Sequence, residues 1–307
     1  MKADHTKADV YTRVTDKIIA SLEAGTRPWM KPWQAEGGAV FPLRGNGQPY
    51  RGINVLLLWA EAVERGYRAS TWMTYKQAAE LGAHVRKGEK GSMVVYADTI
   101  HRTETNDKGE DVERAFGFMK AYTVFNVEQI EGLDAGFYPA DAVDDEGPAA
   151  DLIAHAESFF TRTGAVFRHG GSSAFYAPGP DVIQLPPVQA FRDTESYTAT
   201  KAHELIHWTG HQDRMAREFG KRYGDRAYAF EELVAEMGAA FLCADLAITP
   251  ELRGDHADYL ASWLEVLKED KRAIFAAASH AQKAMDFLHG LQAAAEAKQA
   301  QLDLFAA

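Results

Sequence analysis

Residues His203-Glu204-Leu205-Ile206-His207 set two imidazoles four positions apart with a carboxylate directly after the first. On a helix, side chains four apart lie one turn above each other on the same face, so both rings can reach one metal ion while Glu204 projects beside them toward a bound water. A zinc ion held by three protein side chains keeps a fourth position for water, lowers the pKa of that water toward neutrality, and needs a nearby carboxylate to take its proton. His203 and His207 are therefore expected as metal ligands and Glu204 as the proton-accepting catalytic carboxylate. The expected ion is Zn2+ or another divalent transition metal.

The elements that must position these residues can be read on either side. Thr194 and Ser196 offer caps before a helix, and Gly210 follows the second histidine where a left-handed residue would end it. Ala229 to Phe241 is a second helical run with acids among apolar residues. Glu232 and Glu236 are four apart, so one can ligate the ion while the other accepts the free ring N–H of a ligating histidine. Glu232 is expected as the third ligand and Glu236 as the histidine's support, with Glu231 the competitor for the ligand role. This spacing resembles the thermolysin-like, or gluzincin, pattern. Ala235, Gly238 and Ala239 are small enough for the two helices to meet. His211 is expected to face loop solvent. Tyr223, Tyr228 and Arg214 are candidates for polarising a scissile carbonyl, and spacing does not choose among them.

Length and composition bound the rest. A chain of 307 residues, 46% hydrophobic, buries a sizeable core and is expected to form two domains. The single cysteine, Cys243, excludes an internal disulfide and suits a reducing compartment. The first residues show no apolar core ahead of a cleavage site, and no run approaches the roughly 20 apolar residues that span a bilayer. A cytoplasmic protein without a membrane partner is expected. The net charge of −11 divides unevenly: residues 1–130 carry +2 and the remainder −13. The acidic half is a poor partner for phosphates, whereas the first half has local basic density.

Hydrophobic periodicity predicts helices over 9–22, 54–65, 74–81 and 149–160. Strands are predicted over 93–96 and 116–126, joined by a polar hairpin near 106–110, and over 165–167, 174–177 and 182–185. Helices dominate from there to the end. Residues 134–150 are acidic, small and turn-rich. The expected organisation is α+β: an α+β domain over 1–133, an acidic linker over 134–150, a mainly helical domain with a small antiparallel sheet over 151–295, and a tail over 296–307.

Binding unpaired nucleic acid needs cations for the backbone and aromatic faces for the bases. Residues 27–90 supply both, with Trp29, Trp33, Tyr50, Trp72 and Tyr75 interleaved among Lys31, Arg44, Arg51, Lys76, Arg86 and Lys87. Trp59, by contrast, is expected in the core.

Four motifs in order, Trp29-Met30-Lys31-Pro32-Trp33, Tyr50-Arg51-Gly52-Ile53-Asn54, Trp72-Met73-Thr74-Tyr75-Lys76-Gln77-Ala78 and Val85-Arg86-Lys87-Gly88-Glu89-Lys90-Gly91, resemble the N-terminal module of ArdC-type antirestriction proteins. His203 to Gly210, with Tyr228 to Glu236, is similar to that family's zincin-like second domain. The resemblance covers most of residues 8–245. It implies a single-stranded DNA-binding module joined to a metallopeptidase-like domain, carried by conjugative plasmids and protecting incoming DNA from host restriction. The implied partners are single-stranded DNA and an unidentified protein substrate, with components of the restriction system among the candidates. The alternative is a non-catalytic DNA-binding protein whose metal braces the fold and which protects by coating or occlusion. Near the C-terminus, Gln301, Leu302, Leu304 and Phe305 resemble the pentapeptide by which bacterial proteins dock into the replication sliding clamp, three apolar residues filling a groove with Gln301 at its rim.

Overall fold

The computed structural model describes residues 9–29, 41–105, 111–138, 149–220, 225–248 and 256–306. The first half is α+β. Helix α1 (Val10–Glu23) begins where the Asp9 carboxylate accepts from the Thr12 amide at 2.7 Å, satisfying one of the orphan donors of a helix start. Strand β1 (Leu43–Arg44), helix α2 (Ile53–Arg65), strand β2 (Thr71–Met73), helix α3 (Tyr75–Glu80), strand β3 (His84–Val85), the long strands β4 (Ser92–Thr105) and β5 (Asp111–Asn126), and strand β6 (Ile130–Glu131) follow. A four-stranded sheet has the order β1-β2-β5-β4, and β3 pairs with β6. The predicted strands were shorter because alternation fades beyond Tyr96, whereas backbone pairing continues in register to Thr105↔Asp111.

The second half opens with α4 (Ala149–Arg162) and a small sheet of β7 (Val166–His169), β8 (Phe175–Ala177) and β9 (Val182–Leu185), in the order β7-β9-β8. Its pairing is mixed and not purely antiparallel: β7 runs parallel to β9, and β8 antiparallel to it. Helices α5 (Thr194–Thr209), α6 (Arg226–Asp245), α7 (His256–Glu269) and α8 (Ala273–Ala306) complete the chain. The clamp-like pentapeptide therefore lies in the helical end of α8. Among the described residues no helix is long and apolar enough to cross a membrane.

One hydrophobic cluster runs through both halves, from Val14 to Leu288. At the seam Trp29 meets Trp263 edge to face at 5.7 Å, and Trp59 meets Phe241 at 5.8 Å. Lys268 pairs with Glu23 and Lys271 with Asp16, tying α7 and the turn after it to α1. Gly52, in the left-handed region at φ 55°, turns its amide to the Gln282 side chain of α8 at 3.0 Å, and the neighbouring Arg51 pairs with Asp286. The expected linker lies largely outside the described residues, but the modules on either side of it share a core.

Candidate metal centre

Helix α5 is the centre of the second half: every residue from Thr200 to Thr209 is buried. Its cap is Asp193, whose carboxylate accepts from the amide and hydroxyl of Ser196 at 2.7 and 2.6 Å. Asp193 takes the place expected for Thr194 or Ser196 because a carboxylate is a strong acceptor for the first-turn amides. Gly210 is not left-handed; its φ is −76°. It is needed for space, since a Cβ there would stand 2.8 Å from Phe219 and 2.9 Å from the Arg217 guanidinium.

Helix α6 crosses α5 at close range. A Cβ on Gly238 would lie 2.9 Å from Ile206, so the missing side chain lets Glu232 reach the histidines. The two His Nε2 atoms are 3.2 Å apart, His207 Nε2 is 3.4 Å from Glu232 Oε1, and His203 Nε2 is 3.5 Å from Glu232 Oε2. Donors bound about 2.1 Å from a tetrahedral ion would stand about 3.4 Å apart, so these separations fit one ion held between the two imidazoles and the Glu232 carboxylate. Among the described residues, His203, His207 and Glu232 are the group that could hold a metal. Glu204 is buried on the same turn of α5.

Each imidazole has a carboxylate behind it. His203 Nδ1 is 3.5 Å from Glu236 Oε1, and His207 Nδ1 is 3.1 Å from Glu231 Oε1. Such partners set which ring nitrogen carries the proton and hold the ring's angle. Glu231, weighed from sequence as a rival ligand, turns to the far side of His207, since neighbours on a helix point about 100° apart. There Arg217 grips it with Nε and Nη2 at 2.9 and 2.8 Å and also donates to Thr209 Oγ1 and the Ile206 carbonyl. Arg217 was not singled out from sequence. Its loop position has no periodicity, and only its guanidinium chemistry hinted at a buried acid.

Burial alone would lower the pKa of His207, but the Glu232 and Glu231 carboxylates overcome it and push it up to about 10. Burial would raise Glu232 and Glu231, yet His207 and His203 hold Glu232 low, and Arg217 with His207 hold Glu231 low. The metal-free cluster thus favours a proton on His207 and negative charge on both acids, and a divalent cation would take the place of that proton.

Of the carbonyl-polarising candidates, Tyr228 stands beside Glu232, its hydroxyl 3.1 Å from that of Tyr259. Arg214 is committed elsewhere, stacked on Trp208 at 3.9 Å and bonded to Asp181, Tyr176 and the Trp208 carbonyl. Tyr223 lies outside the described residues. His211 sits outside the donor triangle and accepts from the Asp213 amide through Nδ1.

The aromatic residues proposed for nucleic acid need correction. Trp29 and Trp72 are fully buried and Tyr50 is buried, with Arg44 lying over its ring at 5.4 Å. Removing a buried Trp costs about 3–5 kcal/mol, whereas a base stacked on an exposed ring contributes about 1–3 kcal/mol, so the rings that can reach the core are spent there. Trp33 and Lys31 lie outside the described residues. Tyr75, Lys76, Arg86 and Lys87 are exposed, as are Arg44 and Arg51, although Lys76 pairs with Glu80, Arg86 with Glu89 and Arg51 with Asp286.

Two histidines one turn apart, with a glutamate from the following helix, define a zincin-like site, and residues 154–280 match the zincin-like metallopeptidase family. Residues 8–125 match the N-terminal domain of anti-restriction factor ArdC. The protein y4eC of Sinorhizobium fredii (strain NBRC 101917 / NGR234) is 41% identical over 303 residues, spanning 96% of each chain. DNA primase TraC of Escherichia coli is 38% identical over 301 residues, 92% of this chain but 27% of the primase. Two crystal structures of ArdC from the R388 plasmid match across 98% of their length: a metal-free form (46% identity, TM-score 0.78, 93% of this chain) and a Mn(II)-bound form (48%, 0.75, 92%). The chain belongs to the ArdC-type antirestriction family.

Proposed function

We propose that this protein is a divalent-metal-dependent peptidase that also binds single-stranded DNA, the two activities together protecting entering DNA from restriction. The observation that carries the peptidase reading is the donor cluster of His203, His207 and Glu232, with N–N and N–O separations of 3.2, 3.4 and 3.5 Å, beside the buried carboxylate of Glu204. An ion held there, zinc in this reading, would supply Lewis-acid polarisation of water and of a substrate carbonyl. Glu204 accepts the proton from the attacking water and passes it to the leaving amine. Glu231 and Glu236 hold the two imidazoles in the ligating tautomer, and the Tyr228 hydroxyl donates to the carbonyl oxygen as negative charge gathers on it.

The DNA reading is supported by the match to the ArdC N-terminal domain, by the similarity to a DNA primase, and by the exposed cations Arg44, Lys76, Arg86 and Lys87. Tethering one activity to the other would raise the local concentration of peptidase at the strand. The boundaries 1–133 and 151–295 are kept as the proposed modules. Sliding-clamp docking by Gln301, Leu302, Leu304 and Phe305 stays a separate proposal: the segment is helical, so an extended docked form requires the last turn of α8 to unwind.

The test is Glu204→Gln in the full chain. The variant is expected to take up metal as the wild type does while cleaving a peptide library roughly 100- to 10,000-fold more slowly. Unchanged cleavage rules out Glu204 as the base. Full protection of DNA by the variant would leave the structural-metal reading in its place.

A further inference from the structure

Apart from Tyr75 on α3, the exposed rings among the described residues of the first half gather on one strand pair that the sequence motifs did not include. Tyr96 of β4 and Tyr122 of β5 are 49% and 47% exposed, with ring centroids 6.4 Å apart. Phe118 lies 6.2 Å from Tyr96, and Lys120, opposite Tyr96 in register, holds its ammonium 5.2 Å over the Phe118 ring. The Tyr96 hydroxyl donates to Asp98 at 2.6 Å, which fixes the ring's orientation. Side chains of directly paired residues share a face, and on this one Val94, the partner of Tyr122, is buried while Tyr122 is not. The cluster begins where the sheet leaves the core.

We infer that Tyr96, Phe118 and Tyr122, with Lys120, form a stacking platform for the bases of single-stranded DNA. The inference rests on the DNA reading proposed above and assigns it a site. Three observations favour this occupant. The described side chains of the cluster are aromatic and charged with no exposed aliphatic group among them, unlike a surface made for an apolar protein partner. The cation lies among the rings, where it meets a phosphate while the rings meet bases. The rings stand at interplanar angles of 55° and 79° to one another, so bases that stack on different rings are turned out of a common stack. Such rings accept the splayed bases of an unpaired strand and not those of a duplex. Asp98, which accepts from the Tyr96 hydroxyl, keeps the phosphates to the Lys120 side.

The full chain is titrated by fluorescence anisotropy against a labelled oligothymidylate and an abasic strand of equal length. Wild type is expected to prefer the strand with bases. The double substitution Tyr96→Ala/Tyr122→Ala is expected to weaken oligothymidylate binding roughly tenfold to a hundredfold, with little change for the abasic strand. Tyr96→Phe/Tyr122→Phe, which keeps both rings, is expected to restore the wild-type value. Wild-type affinity in the alanine variant, or equal losses on both strands, overturns the platform while leaving DNA binding in place. If the wild type binds neither strand, the DNA reading itself falls and the platform with it.

Discussion

The candidate metal centre and the exposed charged surface of the first half are built on opposite principles. In the centre each imidazole is buried and held by a carboxylate: His203 by Glu236, and His207 by Glu231, itself gripped by Arg217. Along the first half the charged groups stand in water in short-range pairs such as Lys76–Glu80 and Arg86–Glu89. Chemistry at one ion needs donors fixed to a fraction of an ångström, so the fold surrounds them. A flexible polymer needs only accessible cations and rings.

The contrast is broken most sharply at its best-buried pair. Arg217→Ala takes the guanidinium from the buried Glu231, leaving only His207 beside it, and should destabilise the protein by about 3 kcal/mol, read as the midpoint of urea unfolding. Lys76→Ala, which breaks an exposed helical pair, should change it by about 0.3–0.5 kcal/mol. Comparable losses would mean that the two regions are not built differently.

A smaller effect sharpens the geometry on the metal side. Gly238→Ala forces a methyl group against Ile206 and should cost about 1–3 kcal/mol, with weaker metal uptake as Glu232 is carried away from the histidines. Removing the clashing atoms with Ile206→Ala should recover metal uptake, though not the stability that the Ile206 side chain itself contributes. DNA binding should be unchanged in either variant.

Finer still is a pH dependence confined to the metal-free protein. The pKa of His207 is raised to about 10 in the folded state, so its contribution to stability is complete below its ordinary value near 6.5 and is lost as pH climbs from there through about 10. The lowered Glu232 works in the opposite sense: its contribution is present above its ordinary range and lost as pH falls below it. Metal-free protein should therefore lose thermal stability between pH 6.5 and 10 relative to loaded protein, while metal affinity rises over the same window because the ion displaces the His207 proton. A constant gap between the two melting temperatures would contradict the charge set described.

The same contrast explains which parts could be read before the fold was known. His203, Glu204 and His207 stand out because four-residue spacing on a helix is a local rule, and Glu232 with Glu236 repeats it. The grip of Arg217 on Glu231 depends on how the loop between α5 and α6 turns back, which no local pattern encodes. Gly210 has the sequence setting of a left-handed helix stop and is instead a gap for Phe219 and Arg217, because sequence does not distinguish a glycine kept for φ from one kept for space. Helices α1, α2 and α3 and strands β7, β8 and β9 were legible from periodicity and turn residues. The aromatic surface was not. A tryptophan in a basic, Pro-rich segment looks the same whether it faces water or Trp263, and Trp29 faces Trp263.

The central claim is that two imidazoles of α5 and one carboxylate of α6 hold a single divalent ion. It is tested most directly by isothermal titration of the chelated full chain with zinc, in wild type and in Glu232→Ala. One ion per chain is predicted for the wild type, with binding abolished or weakened at least about tenfold in the variant. Wild-type stoichiometry and affinity in Glu232→Ala would contradict it.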